Sequence, residues 1–157
     1  MNELKQRRAA RLIVLDEQGR LLLFRYAWKP GESFWATPGG GLEDDETFEE
    51  AALREAAEEL GVAGGRLTFL WERLADFRFI DQPIRQQEKF FLIEANLRPS
   101  LIGVEGAHLQ EGILDARWWT LVELEAASET VFPEDIVARL KQIPRERLPL
   151  RPATERR

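Results

Sequence analysis

Between residues 43 and 59 the chain packs nine carboxylates, Glu43, Asp44, Asp45, Glu46, Glu49, Glu50, Glu55, Glu58 and Glu59, around a single base, Arg54. That segment carries −8, so the remaining 140 residues of a chain of net charge −6 carry +2. Residues 48–60 lack Pro and Gly and are rich in Ala, Leu and Glu, which favours a helix. Thr47 followed by Glu50 is a capping-box signature, and Gly61 is placed to end the helix. At about 100° per residue, Glu58 falls about 60° to one side of Glu55 and Glu59 about 40° to the other. The three carboxylates therefore share one face. Leu53, Ala57 and Leu60 fall opposite and are expected to form the core face, while Ala51, Ala52 and Ala56 let the helix lie close to a sheet. Arg54 is expected beside the acidic cluster and not inside it.

Like charges three and four residues apart weaken a helix. A solvated acidic face is one reading of the cluster. A divalent-cation site is the other, because Mg²⁺ and Mn²⁺ favour hard oxygen ligands. The glycine run Gly39–Gly41 just upstream offers backbone carbonyls and permits close approach of a ligand.

The elements that must position this helix can be read around it. Residues 10–15 and 21–26 form a hairpin joined by Asp16-Glu17-Gln18-Gly19-Arg20, and residues 35–37 form a short strand ended by Pro38 and the glycines. Further strands are expected at 66–71, 76–80, 89–96 and 116–120, with helices at 121–127 and 134–142 and a loop at 102–112. Strands and helices alternate around an antiparallel hairpin, which predicts an α/β chain with a mixed sheet. At 157 residues one domain is expected, over 1–144, followed by an Arg-rich tail, 145–157, expected to be partly disordered. Zero Cys excludes a disulfide scaffold and thiolate metal sites. No apolar run approaches the ~20 residues of a membrane helix, and residues 1–8 lack a signal-peptide pattern. A cytoplasmic location is therefore expected. The acidic balance argues against bulk nucleic-acid binding.

The spacing narrows the choice for the acidic helix. Gly40, Glu46, Arg54-Glu55, Glu58-Glu59 and Gly61-Val62 stand at fixed separations, preceded by Thr37-Pro38-Gly39. Setting aside Val62, where any aliphatic would serve, the seven positions from Gly40 to Gly61 at roughly one in fifteen each give a chance match on the order of 10⁻⁸. The pattern resembles the signature of the Nudix hydrolase family, with Ala56 standing where a larger aliphatic is common and Asp45 where many members have Gly. The resemblance implies the Nudix fold, an α/β/α sandwich around a mixed β-sheet. It also implies hydrolysis of a nucleoside diphosphate derivative with Mg²⁺ or Mn²⁺ by in-line water attack. The derivative would be a nucleoside triphosphate, a dinucleoside polyphosphate or a nucleotide sugar. Glu55, Glu58 and Glu59 match the family's metal ligands, and the Gly39 carbonyl its backbone ligand. Arg54 and Glu46 match a pair that holds loop to helix. The general base would be Glu55 or a loop glutamate, for which Glu111 is the candidate and Glu105 the runner-up.

Among other residues, Arg25 is a candidate phosphate contact, and Trp35 and Phe79 are candidate stacking partners for a base. His108, the only histidine, reads as a solvated loop residue. A homodimer is compatible with the family. An isopentenyl diphosphate isomerase on the same fold is disfavoured by the lack of Cys. A non-catalytic nucleotide-binding or regulatory module is disfavoured because all the box carboxylates are present.

Overall fold

A computed structural model describes residues 4–62, 64–79, 81–94 and 113–143. Their contacts group them into two compact units, one drawn from Met1–Leu12 and Gly39–Asn96, the other from Ile13–Pro38 and Leu97–Arg157.

The first unit is built on a four-stranded sheet. Strand β1 (Lys5–Ile13) pairs antiparallel with β4 (Gly39–Gly41), and the long strands β5 (Arg66–Phe79) and β6 (Gln82–Glu94) complete the order β4-β1-β6-β5. Helix α1 (Phe48–Leu60) has the expected ends. Thr47 and Glu50 form both bonds of the capping box, and Gly61 adopts the left-handed conformation that closes the helix. The glycine run, expected to terminate a strand, is itself a strand, with Gly39 opposite Arg11, Gly40 opposite Ala10 and Gly41 opposite Ala9. Residues 66–71 and 76–80 were expected as separate strands; β5 is instead continuous, with a bulge at Phe69/Trp71. Its middle, Glu72-Arg73-Leu74-Ala75, has little intrinsic strand preference. Pairing supplies what propensity does not. Asp76 accepts two bonds from Arg85, and Gln87 donates to Glu72.

The second unit holds strands β2 (Leu21–Ala27), β3 (Ser33–Ala36), β7 (Ile113–Trp119) and β8 (Val131–Phe132) in the order β7-β2-β3-β8. All pairs are antiparallel except β3 with β8, a two-residue parallel contact that the sequence did not signal. Asp16 caps the expected turn by accepting from the amides of Gln18 and Arg20, with Gly19 at positive φ. Helices α2 (Leu121–Glu125) and α3 (Ile136–Lys141) are shorter than expected; α2 carries a second capping box, Thr120 with Glu123. No helix among the described residues is long and apolar enough to cross a membrane. The 102–112 loop and the 145–157 tail lie outside the described residues.

Gly39 is the tightest point of the first unit. Its φ is +137°, and a Cβ there would collide with the Ala10 carbonyl oxygen and lie 2.9 Å from the Arg11 Cα, both backbone atoms that cannot step aside. Gly39→Ala is expected to cost at least about 3 kcal/mol, from left-handed strain plus overpacking, read as a lower denaturation midpoint.

Candidate functional site

Helix α1 turns its acidic face toward the glycine strand, reversing the expected orientation. Glu55 and Glu59 are both buried, with Phe48, Ala51, Ala52, Ala56 and Leu60, whereas Leu53 is 38% exposed and Ala57 is exposed. Of the predicted core face only Leu60 is in the core. The physical reason lies in β4. Glu59 Oε1 accepts from the Gly39 amide at 3.0 Å, and Gly40 leaves so little space that a Cβ would stand 2.7 Å from Glu55 Oε2. A strand without side chains lets two carboxylates lie where apolar groups would otherwise pack. Glu58 remains exposed.

Arg54 is not beside the cluster but within it. Nε and Nη2 grip both oxygens of Glu46 at 2.7 and 3.0 Å, Nη2 also donates to the Gly41 carbonyl at 3.0 Å, and Nη1 reaches Glu55 and Glu58 at 3.1 Å each. The helical wheel gives the direction of Cβ, and the long Arg side chain sweeps back over the helix to bridge the acids. Glu46 in turn accepts from the Glu43 amide at 2.8 Å, so the loop after β4 is tied to the helix through one bidentate ion pair.

This arrangement sets the protonation of the site. Burial, then the charge of Glu55, push the Glu59 carboxyl up to about 7, against the pull of the Gly39 amide and Arg11. Burial also raises Glu55, with Arg54 opposing it. The bonds from Arg54 hold Glu46 below the ordinary carboxylate range, and Glu46 raises Arg54. For Glu59 the folded value lies above the unfolded value of 4.5, so the folded state binds the proton more tightly. Metal-free stability is then full below pH 4.5 and declines as pH rises toward 7, by up to about 3 kcal/mol from this group. The midpoint of thermal unfolding in EDTA is expected to fall across that window, and millimolar Mg²⁺ is expected to restore more at pH 8 than at pH 5.

Among the described residues, no three carboxylates converge on one point as a ready metal cage. Arg54 stands between Glu55 and Glu58, and Glu59 is turned to an amide. The donor chemistry nevertheless suits a hard divalent ion: three carboxylates on one helix face, two of them buried at an electrostatic cost that a cation would relieve.

The other sequence-derived candidates have mixed placements. Trp35, expected to offer its ring to a base, is buried at 4% exposure; it packs edge-on to Trp119, and its Nε1 donates to Glu129. It is a core residue, because β3 is an inner strand of its sheet. Arg25 lies 5.8 Å over the Trp35 ring and borders a cavity of about 450 Å³ with Trp28, Lys29, Glu32 and Leu114. Phe79 ends β5, its backbone opposite Gln82; its side chain is outside the described set. Glu111, Glu105 and His108 also lie outside the described residues. Sequence reasoning missed Arg11, whose charge acts on both Glu55 and Glu59. The available signal was an Arg at a strand position flanked by buried Ala10 and Leu12.

Comparison with known proteins shows the family. The family model of the NUDIX domain matches residues 5–140. An RNA pyrophosphohydrolase of Marinomonas sp. (strain MWYL1) is 30% identical over 144 residues, covering 84% of this chain and 86% of the relative. A NUDIX hydrolase from Nitrosomonas europaea superposes with a TM-score of 0.62 at 17% identity, covering 87% of this chain and 86% of its own. The NUDIX domain of Shewanella oneidensis NrtR, solved with ADP ribose, gives a TM-score of 0.58 at 17% identity, covering 90% and 88%. The chain belongs to the Nudix family, with its mixed-sheet α/β fold. It is a Nudix hydrolase, acting on phosphoanhydride bonds. The family generally uses divalent metal ions and acts on nucleotide substrates.

Proposed function

We propose that this chain is a Mg²⁺- or Mn²⁺-dependent pyrophosphohydrolase that cleaves the diphosphate linkage of a nucleoside diphosphate derivative by in-line attack of water. The observation that carries the reading is the burial of Glu55 and Glu59 against the side-chain-free strand Gly39–Gly41. Glu55, Glu58, Glu59 and the Gly39 carbonyl would hold the cation, within a domain spanning 1–144. A cation held there would offset the charge of the diphosphate and lower the pKa of the attacking water. Arg54 and Glu46 fix the loop to the helix, so that the carboxylates keep their spacing. Glu55, a buried carboxylate with a raised pKa, would accept the water's proton at a side-chain oxygen; Glu111 is the alternative acceptor.

The substrate would be a nucleoside triphosphate, a dinucleoside polyphosphate or a nucleotide sugar. The name of the Marinomonas relative, RNA pyrophosphohydrolase, adds RNA bearing a phosphoanhydride linkage to that set. The test is chromatographic detection of the cleavage products with Mg²⁺, with Mn²⁺ and with EDTA: phosphate or pyrophosphate from GTP and from a 5′-triphosphorylated RNA oligonucleotide, adenine mononucleotides from diadenosine tetraphosphate, and AMP with ribose 5-phosphate from ADP-ribose. Metal-dependent turnover of at least one substrate is expected. Binding without turnover across the panel would replace the enzyme by a nucleotide-binding module.

A further inference from the structure

The cavity of about 450 Å³ that Arg25 borders lies at the outer end of the β2–β3 hairpin, wholly within the second unit. Three local features make it. Ala27 stands opposite Ser33 and Arg25 opposite Trp35, so these four side chains share one face of the sheet, and the two small ones leave space beside the arginine. The pairing of β2 with β7 slips between Arg25 and Tyr26, which face Asp115 and Ile113. The extra residue at that bulge, Leu114, is 46% exposed and borders the cavity. The rim is the turn Lys29-Pro30-Gly31-Glu32, in which the Glu32 amide donates to the Lys29 carbonyl at 2.8 Å and Gly31 has a φ of +79°.

Arg25 is held in place but not satisfied. Its guanidinium lies 5.8 Å over the Trp35 ring, and Trp35 is itself fixed by the bond from its Nε1 to Glu129 at 2.7 Å. Arg25 Nε is buried and has no hydrogen-bond partner. A buried donor in that state has lost its hydration without return, which favours any ligand that brings an acceptor. Lys29 adds a second cation to the lining and Ser33 a hydroxyl. Glu32 is the carboxylate of the lining, and Asp115 stands opposite Arg25 on β7. Among the described residues, no carboxylate lies within ion-pair distance of Arg25 or Lys29.

A phosphate group suits these donors better than a carboxylate. Its tetrahedral head offers three strong acceptor oxygens, enough for a guanidinium fork, an ammonium and a hydroxyl together, whereas a single Arg fork saturates a planar carboxylate. Exposed Leu114 gives the organic part of a ligand an apolar surface.

We propose that this cavity binds a terminal phosphate group without a metal ion, at a site built from none of the α1 carboxylates. The phosphate can be inorganic phosphate or the 5′-phosphate of a mononucleotide.

The experiment titrates AMP, inorganic phosphate and acetate into wild type, Arg25→Ala, Ala27→Leu and Glu59→Gln at pH 8 in EDTA, followed by heteronuclear NMR. AMP is expected to shift the Arg25 Nε–H resonance, and inorganic phosphate, but not acetate, to displace it. Arg25→Ala is expected to weaken AMP binding at least about tenfold. Ala27→Leu, at an exposed strand position, should fill the cavity floor and weaken it at least about fivefold. Glu59→Gln should leave it within about twofold. Tighter binding of AMP than of inorganic phosphate assigns the site to a mononucleotide, and equal binding assigns it to phosphate itself. No binding of either at millimolar concentration, displacement by acetate as readily as by phosphate, or a loss that follows Glu59→Gln and not Ala27→Leu would overturn the proposal. If Arg25→Ala unfolds the chain, Ala27→Leu still decides. Neither metal nor turnover enters the measurement, so a failure of the hydrolase reading would leave its result unchanged.

Discussion

Glu59→Gln should lower turnover at least about 100-fold, while making the metal-free protein more stable. The two effects have one origin. At pH 8 the folded protein holds Glu59 ionised although burial and Glu55 resist it, a cost of up to about 3 kcal/mol. The amide keeps an oxygen for the Gly39 N–H and carries no charge. Its new NH₂ group recovers only part of its hydration, so a net gain of about 2 kcal/mol is expected at pH 8. At pH 5, where Glu59 is protonated in the folded state, the gain should shrink toward zero. Paired denaturation curves at the two pH values, with steady-state rates at saturating Mg²⁺, check both. A residue that merely supported the fold would lose stability on substitution.

Arg54→Ala has the opposite signature, a loss of both stability and rate. The substitution leaves Glu46 without its bidentate partner, frees the Gly41 carbonyl, and removes the only cation touching Glu55 and Glu58 among the described residues. Arg54 is only 21% exposed, so the loss is weakly screened, and about 2–4 kcal/mol is expected. Glu58, 55% exposed, contributes little of it. Turnover should fall at least about tenfold as the loop drifts from the helix. Arg54→Lys should rescue neither property, because a point charge cannot span both Glu46 oxygens and a carbonyl together. Recovery by Lys of more than half the stability would mean that charge alone, not the fork, matters.

The parts of the fold that depend on local chemistry were legible from the residues. Thr47 with Glu50, Gly61, and the Asp16–Gly19 turn each act within a few positions, and each has the predicted geometry. What was not legible depends on distant partners. The continuity of β5 rests on cross-strand pairs such as Asp76 with Arg85, nine residues apart. The orientation of α1 followed the same logic. A wheel fixes the angles between side chains but not which side meets the protein, and the acidic side is inward only because β4 is three glycines. Trp35 adjoins the glycine run in sequence, yet strand alternation sends its ring into a core with Trp119. Arg54 shows the limit of Cβ directions for a side chain long enough to reach four hydrogen-bond partners.

The central claim is that Glu55, Glu58 and Glu59 together hold a divalent cation. Anomalous diffraction from crystals soaked in Mn²⁺ tests it most directly. The account predicts a peak bounded by those three carboxylates and the Gly39 carbonyl, with Arg54 Nη1 withdrawn from Glu58 while its grip on Glu46 persists. A protein that turns over nucleotide in the same Mn²⁺ buffer, yet shows no peak there and keeps Arg54 between Glu55 and Glu58, would contradict it.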